Sequence, residues 1–398
     1  MENITKILFE ILLIFFSAKL LGEIFERLKQ PAVIGEIIAG IIIGPFLLNL
    51  LSPEKTYEVL AQIGIIILLF DVGLHIKIDE IMKLGWVSLL VAVLGVVFPF
   101  ILGFFLSEFL GHTSIEAMFV AAALVATSVG ITARVFADLG VIKSKASQIV
   151  LGAAVIDDII GMIVLAIVTG ASKGSLSYWK ILLVLGEAIG FVVFLIIVGQ
   201  RVVKRFVHKT EVLKIRNGPF ILAIIFCLAL SALASFIDIA AIVGAFLAGL
   251  VLSEFSVKYE LANRTESLND FLVPFFFVIM GTKVELTSFV QANILIQALL
   301  LTLVAILGKI LGCGLGSLSV GKKNAILVGV GMIPRGEVGM IIASLGLAYG
   351  VISGELYSSV VFMVVVTTLM APPFLRKLIL KFGEAEEKKK SLAEKQIE

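Results

Sequence analysis

The chain is 398 residues long, 60% hydrophobic and 16% charged, with a formal net charge of +2. Counting the 36 Gly in place of the 5 Tyr raises the apolar share to about 68%, against ~45–50% in soluble domains. A soluble chain of this composition would expose large apolar patches, so soluble enzymes, disordered chains, collagen and disulfide scaffolds are excluded and the chain is read as a membrane protein.

Hydropathy places thirteen spans, at 5–26, 31–50, 57–76, 84–108, 115–137, 146–171, 178–201, 217–237, 239–256, 267–282, 288–317, 323–349 and 354–378. Each is near the ~20 residues that cross a bilayer. The first is expected to be retained, because Glu2 and Glu10 flank Lys6 and no small-residue cleavage pattern follows. Lys19 and Glu23 have the i,i+4 spacing of a helical pair. Glu36 and Asp71, near the ends of spans 2 and 3, are expected at the membrane interface, as are Asp238 and Glu254.

Span 5 contains Thr127-Ser128-Val129-Gly130-Ile131-Thr132, whose glycine and hydroxyls predict an unwound stretch; a back-bonded bend is the simpler alternative. Irregular backbone survives in a bilayer only where protein or a wet cavity satisfies it. Span 6 carries Asp157 and Asp158 about midway along its length. One carboxylate at that depth costs ~2.5–3.5 kcal/mol on the gentlest scale, and two cost more. Neighbouring residues point ~100° apart on a helix, so one aspartate can face a neighbouring helix while the other faces a water-filled cavity. Thr127, Ser128 and freed carbonyls would complete an all-oxygen shell with a carboxylate, the ligand type that hard cations prefer.

Glu187 in span 7 has no assignable partner, and Cys227 and Cys313 read as small core residues. His75, His112 and His208 are loop-proximal. Lys309 lies too deep in span 11 to snorkel and is the expected counter-ion for one aspartate. Span 12 holds Ile333-Pro334-Arg335-Gly336-Glu337, a second interruption, with a plain proline kink as the alternative. Glu337 would meet the positive end of the following half-helix, and neutralising that dipole while pairing with Arg335 is expected ahead of ion ligation. Residues 383–398 form a short charged tail, expected to be solvated and too small for a nucleotide-binding domain.

Of the 32 Lys and Arg, alternate loops place five on the side of the N-terminus, Lys6, Lys55, Lys173, Lys180 and Lys283; four lie within spans and the other twenty-three fall on the opposite side. By the positive-inside rule the N-terminus is outside and the C-terminus cytoplasmic. Thirteen spans also divide as six, one and six. Gly35 and Gly40 of span 2 match Gly244 and Gly249 of span 9, and Gly73 of span 3 matches Gly281 of span 10. Two six-helix inverted repeats with two interrupted crossing helices are therefore expected, an architecture of secondary transporters whose site lies at mid-membrane.

Together, the run Ala126 to Arg134, the stretch Val155-Ile156-Asp157-Asp158 and the embedded Lys309 resemble bacterial and archaeal sodium/proton antiporters of the NapA type, which share the NhaA-like fold. The resemblance covers nearly the whole chain. It implies an all-α polytopic transporter domain over 1–382, with spans 1–3 and 8–10 as a dimer domain, spans 4–6 and 11–13 as a mobile core, and span 7 as linker. It also implies a homodimer in the cell membrane. By the same resemblance Asp158 corresponds to the essential ion-binding carboxylate and Asp157 to the carboxylate paired with the lysine, here Lys309. Thr127 and Ser128 match the unwound crossing, and Glu337, with Arg335, its opposite strand.

The expected activity is electrogenic exchange of sodium or lithium for protons, with sodium held by Asp158, Asp157, Thr127 and Ser128. No cofactor and no nucleic acid is expected; the partners are monovalent cations, protons and the lipid bilayer. A potassium/proton antiporter is the nearest alternative. An intramembrane aspartyl protease would need its two aspartates to share one water, which adjacent aspartates do not favour. A sodium-coupled organic-anion symporter would have no evident need of Lys309 opposite a double aspartate.

Overall fold

The computed structural model describes residues 2–51, 54–76, 78–172, 217–237, 239–284 and 292–394, together with Gly186 and Gly190. The expected span 7, with Glu187, and the positions of His208 and Asp238 lie outside the described residues. Among the described residues the chain is helical, with no strand. In order the helices are α1 (Glu2–Arg27), α2 (Ala32–Ile43), α3 (Lys55–Leu74), α4 (Ile78–Phe109), α5 (Ser114–Val125), α6 (Val129–Asp138) and α7 (Lys145–Ser172). There follow α8 (Gly218–Phe236), α9 (Ala241–Ser256), α10 (Leu261–Thr282), α11 (Ala292–Gly316), α12 (Lys322–Gly331), α13 (Glu337–Ala348) and α14 (Gly354–Glu394). Counting α5 and α6 as one bent element, seven are long and apolar enough to cross a membrane; α2, α9 and most of α13 are shorter apolar helices.

Three elements depart from the hydropathy reading. The span expected over 31–50 is helical only to Ile43, because Gly44 turns extended ahead of Pro45 and proline disfavours helix in the residue before it. Helix α10 starts at Leu261, six residues before the apolar stretch, so charged turns lead into its buried part. Helix α14 runs through Pro372 and Pro373 to Glu394 and includes most of the expected solvated tail.

Packing gathers the helices into two groups. In one, α1 packs on α2, α8 on α9, α2 on α10, and α3 on both α9 and α10. In the other, α4 packs on α5, α7 and α11, while α11 also meets α12 and α14. Small residues let backbones meet, the usual device where helices have no hydrophobic drive to associate. A Cβ added at Gly40 would lie 2.9 Å from Gly281 Cα, and one at Gly73 would lie 3.0 Å from Gly249 Cα. On α11, Gly308, Gly312 and Gly316 form a stripe against the α4 backbone at Pro99, Leu94 and Val91. That stripe brings the next residue, Lys309, into the protein interior.

Candidate ion-binding site

Two broken helices meet at the centre of the second group. Helix α5 begins with a capping box, in which Thr113 and Glu116 satisfy each other's backbone N–H, and it ends at Val125. Ala126 to Ser128 run extended before α6 resumes at Val129. Helix α12 ends at Gly331 and α13 starts at Glu337. The two unwound stretches are stapled together. The Ser128 N–H donates to the Pro334 carbonyl at 2.8 Å, and the Thr132 hydroxyl donates to the Gly331 carbonyl at 2.6 Å. Gly336 lies so close that an added Cβ would come 2.7 Å from the Ser128 side chain. Both predicted interruptions are thus real breaks rather than kinks, and they meet.

Arg335 is fully buried where the two breaks meet. Its guanidinium donates to the carbonyls of Ala126 at 3.4 Å, Met332 at 3.4 Å and Ala305 at 3.2 Å. Two of these carbonyls belong to residues just past the C-terminal ends of α5 and α12, where helix dipoles gather negative charge, so a permanent cation there is well placed. The expected pairing of Arg335 with Glu337 is not among these bonds; the Glu337 side chain lies outside the described residues. The Thr127 hydroxyl is buried with no hydrogen-bond partner, which leaves an oxygen available in the unwound segment.

Helix α7 delivers the two aspartates to different neighbours. Asp157 is 1% exposed and faces fully buried Lys309, whose Nζ lies 3.2 and 3.4 Å from its two carboxylate oxygens. Asp157 is also within electrostatic reach of Arg335. Asp158 is only partly buried and lines a cavity of about 10 Å³, no larger than one water needs, shared with Val129 of α6, Leu69 of α3 and Phe246 of α9. One carboxylate is therefore committed to a lysine, while the other sits where the two helix groups meet.

Two larger spaces open at opposite ends of α3. One, of about 550 Å³, is lined by Asp71, Arg134, Asp138, Lys143, Glu266, Asn269 and Asp270 among others. Leu68 lines it, and the next residue, Leu69, lines the Asp158 cavity. The other, of about 100 Å³, lies by Glu58, Gln62, Lys283 and Met340, with Glu58 and Lys283 paired at 2.8 Å.

Hydropathy left Glu266, Asn269 and Asp270 unremarked, although their i, i+3, i+4 spacing marks one face of a helix. Two further readings change. Glu36, expected at the interface, is 2% exposed with one carboxylate oxygen unpartnered, because α2 is enclosed mainly by α1 and α10, with α6 and α14 also against it. Glu23 pairs with Arg27 at 2.8 Å rather than with Lys19, which lies over the Phe15 ring.

A model of the family described as sodium/hydrogen exchanger, transmembrane, matches residues 12–381. The high-affinity Na(+)/H(+) antiporter NhaS3 of Synechocystis sp. is 37% identical, over 96% of this chain and 92% of that protein. The Na(+)/H(+)-K(+) antiporter GerN of Bacillus cereus is 33% identical, over 92% and 95%. Among solved structures, the sodium proton antiporter MjNhaP1 of Methanocaldococcus jannaschii at pH 8 shares the fold with a TM-score of 0.65, at 19% identity and with 96% and 98% of the two chains covered. These relatives are transporters rather than enzymes. The chain is a multi-pass membrane protein and belongs to the sodium/hydrogen exchanger family.

Proposed function

We propose that this chain is a secondary sodium/proton antiporter whose exchanged cation binds at Asp158, with Asp157, Thr127 and Ser128 as further oxygen ligands and Lys309 as the proton-coupled partner. The observation that carries the reading is the buried Asp157–Lys309 pair one residue from a carboxylate in a cavity between two helix groups. A cation that competes for Asp157 weakens its hold on Lys309, whose buried ammonium then loses its proton more readily. Asp158 must also shed a proton before it can bind a monovalent cation. Two protons per cation make the exchange electrogenic.

The glycine contacts support an inverted repeat. Gly40 matches Gly249 and Gly73 matches Gly281 in sequence, so exchanging the halves turns the Gly40–Gly281 contact into the Gly249–Gly73 contact. The same exchange turns the Gly35 contact with Leu21 of α1 into the Gly244 contact with Leu230 of α8. Thirteen spans remain our count, with 178–201 as the linker. We assign α1–α3 and α8–α10 to a dimer domain and the rest to a core that moves against it. With the basic loops cytoplasmic, the 550 Å³ space is the cytoplasmic access route and the smaller one the external side, which makes this a cytoplasm-open conformation.

The similarity to GerN, described as exchanging potassium as well, favours potassium/proton exchange as the second reading. Proteoliposomes holding an acidic interior and a pH-sensitive dye separate the two. Sodium or lithium added outside is expected to dissipate the gradient, and potassium to act at most weakly. A response to potassium alone would replace the sodium reading, and no response to any monovalent cation would overturn both.

A further inference from the structure

A pocket of about 300 Å³ lies between the α1–α2 turn and α14, at the end that the charge distribution of the sequence assigns to the cytoplasm. Lys29, Gln30, Arg376 and Lys377 line it, with Phe374 and Leu380 at its apolar side. Among the described residues, no carboxylate is recorded in an ion pair with Lys29, Arg376 or Lys377. The Arg376 Nε is buried and lacks a hydrogen-bond partner, and so is the Gln30 Oε1, for which turning the amide over offers an N–H instead. Three cations with no counter-ion among the described residues and a buried unused donor are a site for an anion.

The α1–α2 turn holds one of those cations in place at a cost. Lys29 adopts the left-handed conformation, φ 56°, at the position closing α1 where glycine is usual. The turn is locked by Lys29 N–H donating to the Glu26 carbonyl and Gln30 N–H to the Phe25 carbonyl, both at 2.8 Å. A strained non-glycine residue that persists points to a use for its side chain. Phe374 and Leu380, each about half exposed at 52% and 48%, supply an apolar flank of the kind an acyl chain covers and free phosphate does not.

We propose that this pocket binds the phosphate of an anionic phospholipid in the cytoplasmic leaflet, where basic pockets between membrane helices collect such headgroups. A headgroup held there touches both helix groups, since the turn belongs to the α1–α2 side and α14 to the α11 side. The proposal rests on the cytoplasmic placement of this end proposed above and not on which ion the chain exchanges.

The test is binding of phosphatidylglycerol, phosphatidylcholine or inorganic phosphate to the purified full chain, read by native mass spectrometry and thermal stability without any transport. The triple variant Lys29→Gln, Arg376→Gln, Lys377→Gln is expected to weaken phosphatidylglycerol binding on the order of a hundredfold, about fivefold per cation. Removing three exposed lysines from other loops of that end, Lys145→Gln, Lys258→Gln, Lys322→Gln, should change it less than about threefold. If the first triple variant does not fold, Lys29→Gln with Lys377→Gln, both exposed, should still weaken binding about twenty-five-fold. Equal losses in both triple variants, equal binding of phosphatidylcholine, or displacement of the lipid by inorganic phosphate at the same concentration would each overturn the proposal.

Discussion

Asp158→Asn is expected to abolish cation-dependent proton movement in proteoliposomes while leaving the fold intact. The amide keeps the size of the carboxylate but cannot carry the charge on which a cation replaces a proton. Asp158 is only partly buried, beside the small cavity next to α6, and the isosteric amide keeps the packing there. Thermal stability should therefore stay within a few degrees of the parent while exchange falls to the protein-free background. Exchange at the parental rate would remove Asp158 from the site and shift attention to Asp157 and Thr127.

Lys309→Ala is expected to do something different, because Lys309 and Asp157 are both buried and lie 3.2 Å apart. Removing one partner of such a pair strands the other charge, typically at ~3–5 kcal/mol. The variant should lose thermal stability by many degrees as well as activity. Adding Asp157→Asn removes the stranded carboxylate, so the double variant should be more stable than Lys309→Ala alone. A coupling energy above about 1 kcal/mol in the full cycle marks a direct interaction. Simple additivity would mean that the pairing does not contribute to stability, and the proton-coupling role given to Lys309 would lose its physical basis.

Much of this site was legible in the sequence, for reasons that can be traced to single residues. A lysine and an aspartate pair deep in apolar spans must be compensated, which restricts their partners to one another and to broken helices. Pro334 and Gly336 announce one break, and Thr127-Ser128 with Gly130 the other. The repeated glycines of spans 2, 3, 9 and 10 were legible because only small residues allow backbones to touch. What stayed hidden depends on carbonyls and on charges outside apolar windows. The guanidinium of Arg335 is held by Ala126 and Ala305, whose carbonyls have no signature in side-chain sequence. Of the acidic face of α10, Glu266 lies in the charged turns at 261–266 that hydropathy discards although they continue the helix, and without it Asn269 and Asp270 show no pattern in the first turn of the span. Glu23 has Lys19 four residues before it and Arg27 four residues after it, so spacing alone could not choose. The burial of Glu36 follows from α1, α10, α6 and α14 closing round α2, a tertiary fact with no local trace.

In the proposed mechanism two acidic groups and a lysine exchange one monovalent cation for two protons, so each cycle moves one net charge. That charge is worth ~2.3 kcal/mol per 100 mV, more than a tenfold bias on the exchange. The most direct measurement imposes a potassium diffusion potential with valinomycin across proteoliposomes at equal pH and equal sodium on both sides, with the protein first shown not to carry potassium. Vesicles made negative inside should take up protons and release sodium only when the protein is present, and Asp158→Asn should suppress both fluxes. Active protein that exchanges sodium for protons down a gradient yet ignores the imposed potential would mean one-for-one exchange, and the joint role of Asp157, Asp158 and Lys309 would be contradicted.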